Sequence, residues 1–353
     1  MNNILTKLRI NRIVVLSFLA VIAGFIVGGI IMLIFGYSPT ENYLNLFRGS
    51  FGDIYSFGET LRNATPLILT ALGFSVASKA GMFNVGGSGQ LLLGWMGAIT
   101  FALKFSFLPG PVLIIGSILT GAIFGAVYSG IAGLLKAYFG TSEVITTIMM
   151  NYVAFYFVNF AVKKYLAEHN SDASPNILPK ASLRSPMLEG LTNNSTFHWG
   201  FVIALVMAFL MYLYLNKMKQ GFEIKSVGIN EEAARYSGIS TKKVIIISML
   251  LSGLLAGIGG AVDGLGNYQN ISVSTVLPDI GFNGMAVSLL ANQNPIGIIF
   301  ASILFSSLQV GGLSISVYSD TPPEIVNIVI SSIIFFVGVK YLFEFILKRK
   351  ETN

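Results

Sequence analysis

The residues best placed to do chemistry lie between Lys217 and Lys243, where Lys217, Lys219, Lys225, Arg235, Lys242 and Lys243 make the densest run of charge in the chain. Within it, Asn230-Glu231-Glu232-Ala233-Ala234-Arg235-Tyr236 reads as a short helix. Asn230 can cap it, two carboxylates sit in the first turn where the helix dipole favours them, and Gly238 can end it. The chemistry on offer is docking. Small alanines permit close approach, glutamate and arginine fix a polar register, and the glycine lets the chain turn away. Catalysis has little to build on. Cysteine is absent, which removes disulfides, thiolate nucleophiles and thiolate metal sites. The two histidines, His169 and His198, fall in or beside one polar loop, so no histidine serves a metal or a proton relay inside the membrane. No G-x-x-x-x-G-K-[ST] occurs, so the chain cannot hold ATP by a P-loop; if ATP drives it, the ATPase is another polypeptide.

The elements that must position that helix are membrane spans. Of 353 residues, 54% are hydrophobic and 11% charged, against roughly 25% charged in a soluble domain. The expectation is an all-α, polytopic helical bundle forming a single transmembrane domain over 1–353. At about 20 apolar residues per crossing, ten spans are expected, near 13–36, 63–80, 89–107, 111–135, 144–162, 199–216, 244–263, 279–293, 296–312 and 324–346. The first is a retained span rather than a signal peptide, being too long and without a cleavage site. Ten spans put both termini on one side. Lys7, Arg9 and Arg12 at the start and Lys348, Arg349 and Lys350 at the end place both in the cytoplasm, together with the 217–243 loop. An enlarged loop, about 163–198, then lies outside, and Glu41 to Asn63 reads as an aromatic segment in the outer interface. The net charge of +6 speaks of orientation and anionic membrane lipid, not nucleic acid.

Polar residues inside the spans are few. Gly81 to Gly94, GMFNVGGSGQLLLG, has two readings: irregular backbone lining a wet cavity, or a cytoplasmic turn with Gln90 capping the next helix. Glu143 reads as a first-turn carboxylate. Asn151 and Asn159 share a helical face and suit interhelical hydrogen bonds. Asp263 is expected near the outer surface, where a carboxylate costs little. Phe282-Asn283 echoes Phe83-Asn84 and suggests a structural repeat. Gly24 with Gly28, Gly121 with Gly125, and Gly253 with Gly257 make G-x-x-x-G steps for close helix packing.

Glu232-Ala233-Ala234 followed by Gly238 matches the EAA-x-x-x-G loop of ATP-binding-cassette (ABC) importer permeases. Phe83-Asn84-Val85-Gly86-x-x-Gly89-Gln90 resembles the F-N-[IV]-G-x-E-G-Q signature of the branched-chain amino-acid and simple-sugar ABC permease superfamily, with Ser88 where the glutamate usually stands. Glu143 to Tyr152, Ala181 to Pro186, Gly221 to Asn230 and Gly281 to Val287 resemble the nucleoside-importer branch. The resemblance runs from about Leu61 to the last span. It implies a partner ATPase carrying ATP and Mg, a second homologous permease forming a heterodimer, an extracellular substrate-binding lipoprotein, and residence in a bacterial cytoplasmic membrane. No cofactor is expected on this chain. ATPase coupling then falls to Glu223, Asn230, Glu232, Ala233, Ala234, Arg235 and Gly238, and the translocation pathway to Phe83, Asn84, Gln90, Asn151, Phe282 and Asn283. The reading is a nucleoside-importing permease subunit that works by alternating access, not an enzyme. Its alternatives are a ribose-like sugar permease and an ion-coupled transporter. The latter wants carboxylates in mid-span, whereas Glu143 and Asp263 stand at span ends.

Overall fold

The computed structural model describes residues 19, 21–319 and 321–338; the basic residues at both chain ends, and the orientation drawn from them, lie outside these. In chain order the helices are α1 (Val21–Ile34), α2 (Pro39–Phe51), α3 (Ile54–Lys79), α4 (Gly87–Lys104), α5 (Gly110–Phe139), α6 (Glu143–Ala161), α7 (Pro186–Leu191), α8 (Gly200–Lys217), α9 (Lys219–Ile229), α10 (Glu231–Tyr236), α11 (Thr241–Asp263), α12 (Ile280–Leu290), α13 (Pro295–Tyr318) and α14 (Pro323–Gly338). A π-turn prolongs α6 through Val162–Leu166 and another prolongs α11 through Gly264–Tyr268. Among the described residues there is no strand, only an antiparallel bridge between Ala173 and Ser272. Among the described residues five helices are long and apolar enough to cross a membrane: α5, α6 with its π-turn, α8, α11 with its π-turn, and α13. Each of the ten expected segments contains a helix, but α12 has only 11 residues.

The bundle is built around α3, in which every residue from Ala64 to Ala77 is buried. A helix enclosed on all sides belongs to the interior of a larger assembly of helices. Against it lies α11, which also packs on α4 and α5. This contact is made of backbone. A Cβ on Gly125 would run into the Gly253 carbonyl, one on Gly257 into Gly121, and one on Gly94 into Gly257. Two of the three expected G-x-x-x-G steps therefore face each other, with Gly94 as the third party, whereas Gly28 lies against Val329 and Tyr43. Apolar lipid gives helices no hydrophobic reason to associate, so close approach and the dispersion it brings must do so.

Two expectations need correction. The helix expected from 63 begins at Ile54, where the Asp53 carboxylate accepts from the Ser56 N–H at 2.6 Å. Glu41 to Asn63 is therefore no single surface segment. Asn42, Leu46 and Ser50 of α2 are buried, and α2 packs on α13, while Phe47, Phe51, Tyr55 and Phe57 stay exposed. Asp263 is also not superficial: it is buried, 4% exposed, because the 163–198 loop folds over the end of α11.

That loop is laced to the segment following α11. The Ser174, Ile177 and Val273 N–H groups donate across the seam to Ile271, Gln269 and Asp172 carbonyls, each at 2.8 Å. Arg184 donates to the Gly266 carbonyl at 2.7 Å and to that of Asn267. Glu59 of α3 accepts from Thr196 N–H and Oγ1 and from Arg62. Beneath the loop His198 is buried and accepts the Gly200 N–H at Nδ1. Burial first, then the Arg62 and Arg184 guanidinium charges, lower its pKa to about 3, so its ring is neutral. The short helices α9 and α10 occupy the opposite end of α8 and α11.

Candidate functional site

Two polar regions interrupt the apolar framework. The first is α10. Asn230 has an extended backbone and its Oδ1 accepts the Ala233 N–H at 2.9 Å. Glu231 and Glu232 fill the first turn and Arg235 the last, as the helix dipole requires. Gly238, at φ +83°, closes the helix. Its own N–H reaches the Arg235 carbonyl and the next N–H, of Ile239, reaches Ala234, both at 3.0 Å, the paired bonds of a glycine C-cap. Ala234 is buried and anchors the helix, while Glu231, Glu232, Ala233, Arg235 and Tyr236 are exposed. Beside it runs a groove of about 450 Å³ lined by Lys136, Glu231, Arg235 and Lys242. Glu223 stands apart on α9, 3.7 Å from Lys219.

The second region begins where α3 ends. Gly81, at φ +80°, carries the C-cap bonds Gly81 N–H to Ser78 and Met82 N–H to Ala77, both 3.0 Å. The irregular backbone beyond it is satisfied by side chains of α6 and by Asn84, which in turn bonds α5 and α11. Asn84 Nδ2 donates to Ser252 Oγ of α11 at 2.8 Å and to Gln90 Oε1 at 3.2 Å. Its Oδ1 accepts from Gly86 N–H at 2.9 Å and from Gln90 Nε2 at 3.1 Å. From α6, Thr147 accepts the Val85 N–H, and Asn151 both donates to the Val85 carbonyl and accepts the Gly89 N–H. From α5, Ser129 stands 3.5 Å from Asn84. Ser252 lies roughly 16 Å along α11 from Thr241 at 1.5 Å per residue, so the cluster sits deep in the bundle. Non-helical backbone at such depth persists when protein groups saturate it.

Of the expected pathway residues, Asn84, Gln90 and Asn151 are buried with their polar atoms bonded to protein, whereas Phe83 and Phe282 are 38% and 37% exposed. Asn283 is half-buried. Gln90 does not cap α4: it lies within the helix, whose N-cap is Gly86, and its amide bonds Asn84. Gly281 of α12 abuts Gly87 and Ser88 of α4, so the two echoing segments meet at their helix starts. Asn159 bonds Ser274 through both its amide atoms, at 2.8 and 3.0 Å, and Glu143 pairs with Lys136 at 2.8 Å. Ser129, Thr147 and Ser252 complete the cluster without any local sequence signal, since ordinary serines and threonines in spans also bond their own helix.

The chain is 45% identical over 344 residues to the nucleoside ABC transporter permease protein NupB of Lactococcus lactis, covering 96% of this chain and 94% of that one. With the guanosine ABC transporter permease protein NupP of Bacillus subtilis it shares 40% over 348 residues, covering 98% and 99%. A second Lactococcus lactis protein, the nucleoside ABC transporter permease protein NupC, is 29% identical over 266 residues, 73% of this chain and 83% of its own. The model of the branched-chain amino acid transport system permease component matches residues 56–338, and on that match the chain belongs to this family of membrane permeases.

Proposed function

We propose that the chain is the membrane-spanning subunit of an ATP-driven ABC importer of nucleosides in a bacterial cytoplasmic membrane. The observation that carries this reading is α10: a capped, charged helix held by one buried alanine and otherwise exposed, on a chain with no P-loop. Its relatedness along almost the whole chain to permeases named for nucleosides and guanosine supports the solute. In this reading α10 faces the cytoplasm and seats in a partner ATPase that carries ATP and Mg. The 163–198 loop faces outward towards a solute-binding lipoprotein. A second permease completes the pathway, as two such proteins of one Lactococcus lactis strain both match. Phe83, Phe282 and Asn283 form the wall that meets the solute, an aromatic and amide surface suited to a nucleobase. Asn84, Gln90 and Asn151 hold that wall from behind. ATP closure of the ATPase pair moves α10, and the permeases alternate between outward and inward access.

The test is guanosine uptake into proteoliposomes holding the whole complex. Uptake is expected to require ATP and the ATPase, and Glu232→Lys is expected to abolish it. Uptake that proceeds without ATP and collapses with an ionophore would overturn the reading in favour of an ion-coupled transporter.

A further inference from the structure

The stroke of α10 needs a route into the bundle, and the structure contains a short one. Between α10 and the deep cluster stands α9, whose Gly221, Ile224 and Val227 are buried. Near its end, Gly228 lies against the turn that closes α3. A Cβ on Gly228 would collide with the Lys79 carbonyl oxygen and stand 3.0 Å from the Gly81 nitrogen. A Cβ on Gly81 would in turn be 3.4 Å from the Gly228 Cα. Backbone therefore bears on backbone, with no flexible side chain between to absorb a displacement. Glu231 opens α10 three residues beyond Gly228, and Asn84 lies three residues beyond Gly81. Among the described residues no ion pair joins the two elements here. Such a contact transmits a push and not a pull.

We infer that Gly228 is the positioning residue through which α10 drives the α3–α4 turn and, by way of Asn84, the helices α5, α6 and α11 bonded to that cluster. The inference rests on the importer reading above. It makes Gly228 a residue for coupling rather than for folding: its surface is open to solvent, and a side chain there must lever α9 away from the turn instead of filling a core.

The whole complex in proteoliposomes tests this, with tritiated guanosine uptake and ATP hydrolysis read from the same vesicles. Gly228→Val is expected to retain the ATPase on the complex and to hydrolyse ATP within about twofold of the parent. Uptake per ATP should fall about tenfold, and Gly228→Ala should fall between, the range found when a coupling element is perturbed. A purely structural role would lower the amount of folded complex and leave that ratio alone. If Gly228→Val yields no folded complex, Gly228→Ala decides. An unchanged ratio in the Gly228 variants, with Glu232→Lys inactive, overturns this route and leaves the importer reading standing. An unchanged ratio in Glu232→Lys as well overturns this route together with the coupling role of α10.

Discussion

Helix α10 and the Asn84 cluster are both polar breaks in an apolar chain, and they resolve their polarity in opposite ways. In the cluster, Asn84, Gln90 and Asn151 are at most 4% exposed and bonded to protein. In α10 the side chains of Glu231, Glu232 and Arg235 are exposed, and among the described residues no ion pair is formed by any of the three. A polar group enclosed by protein determines how the bundle holds together, because leaving it unmatched there is costly. A charge left in solvent contributes little to the fold, and its place is explained by what binds it.

The sharpest way to break this contrast is to remove the cluster's centre. Asn84→Leu strands the Gly86 N–H, Ser252 and the Gln90 amide, and should cost about 3–9 kcal/mol at about 1–3 kcal/mol per stranded group; thermal unfolding in detergent should show it, or no folded protein at all. Asn151→Ala loses the bonds to Val85 and Gly89 and should cost about 2–6 kcal/mol by the same reasoning. A shift below that of an ordinary surface change would mean the cluster is not structural. His198 sharpens the comparison at the other end of the molecule. Its ring stays neutral in the fold, its pKa lowered from 6.5 to about 3, whereas the unfolded chain takes up a proton below 6.5. Stability should therefore fall as pH drops from 6.5 towards 3, by about 1.4 kcal/mol per unit. His198→Phe should flatten that slope in pH-dependent melting. The smallest effect is expected at α10: Glu232→Lys should move the unfolding midpoint by no more than about 0.5 kcal/mol while uptake is lost. A large loss of stability there would erase the distinction.

Much of this was legible in the sequence because it depends on local rules. The capping of α10 by Asn230, its end at Gly238, the first-turn Glu143 and the presence of the glycine steps all follow from neighbours within a few residues. The rest depends on partners far along the chain. Ser252, 168 residues from Asn84, resembles any serine in a span. Asp263 looked superficial because the loop that covers it is a separate segment, joined by backbone bonds that carry no residue signature. The early start of α3 was hidden because Glu59, Arg62 and Asn63 look like an interface. In the fold they meet Thr196, one another and Gln309.

The glycine contact among α4, α5 and α11 has a consequence for how such a protein diversifies. Where main chain touches main chain, no alternative residue can be swapped in and later refined, so this junction offers natural selection no gradual path. New preferences must then arise elsewhere in the bundle, leaving the glycine junction inherited whole.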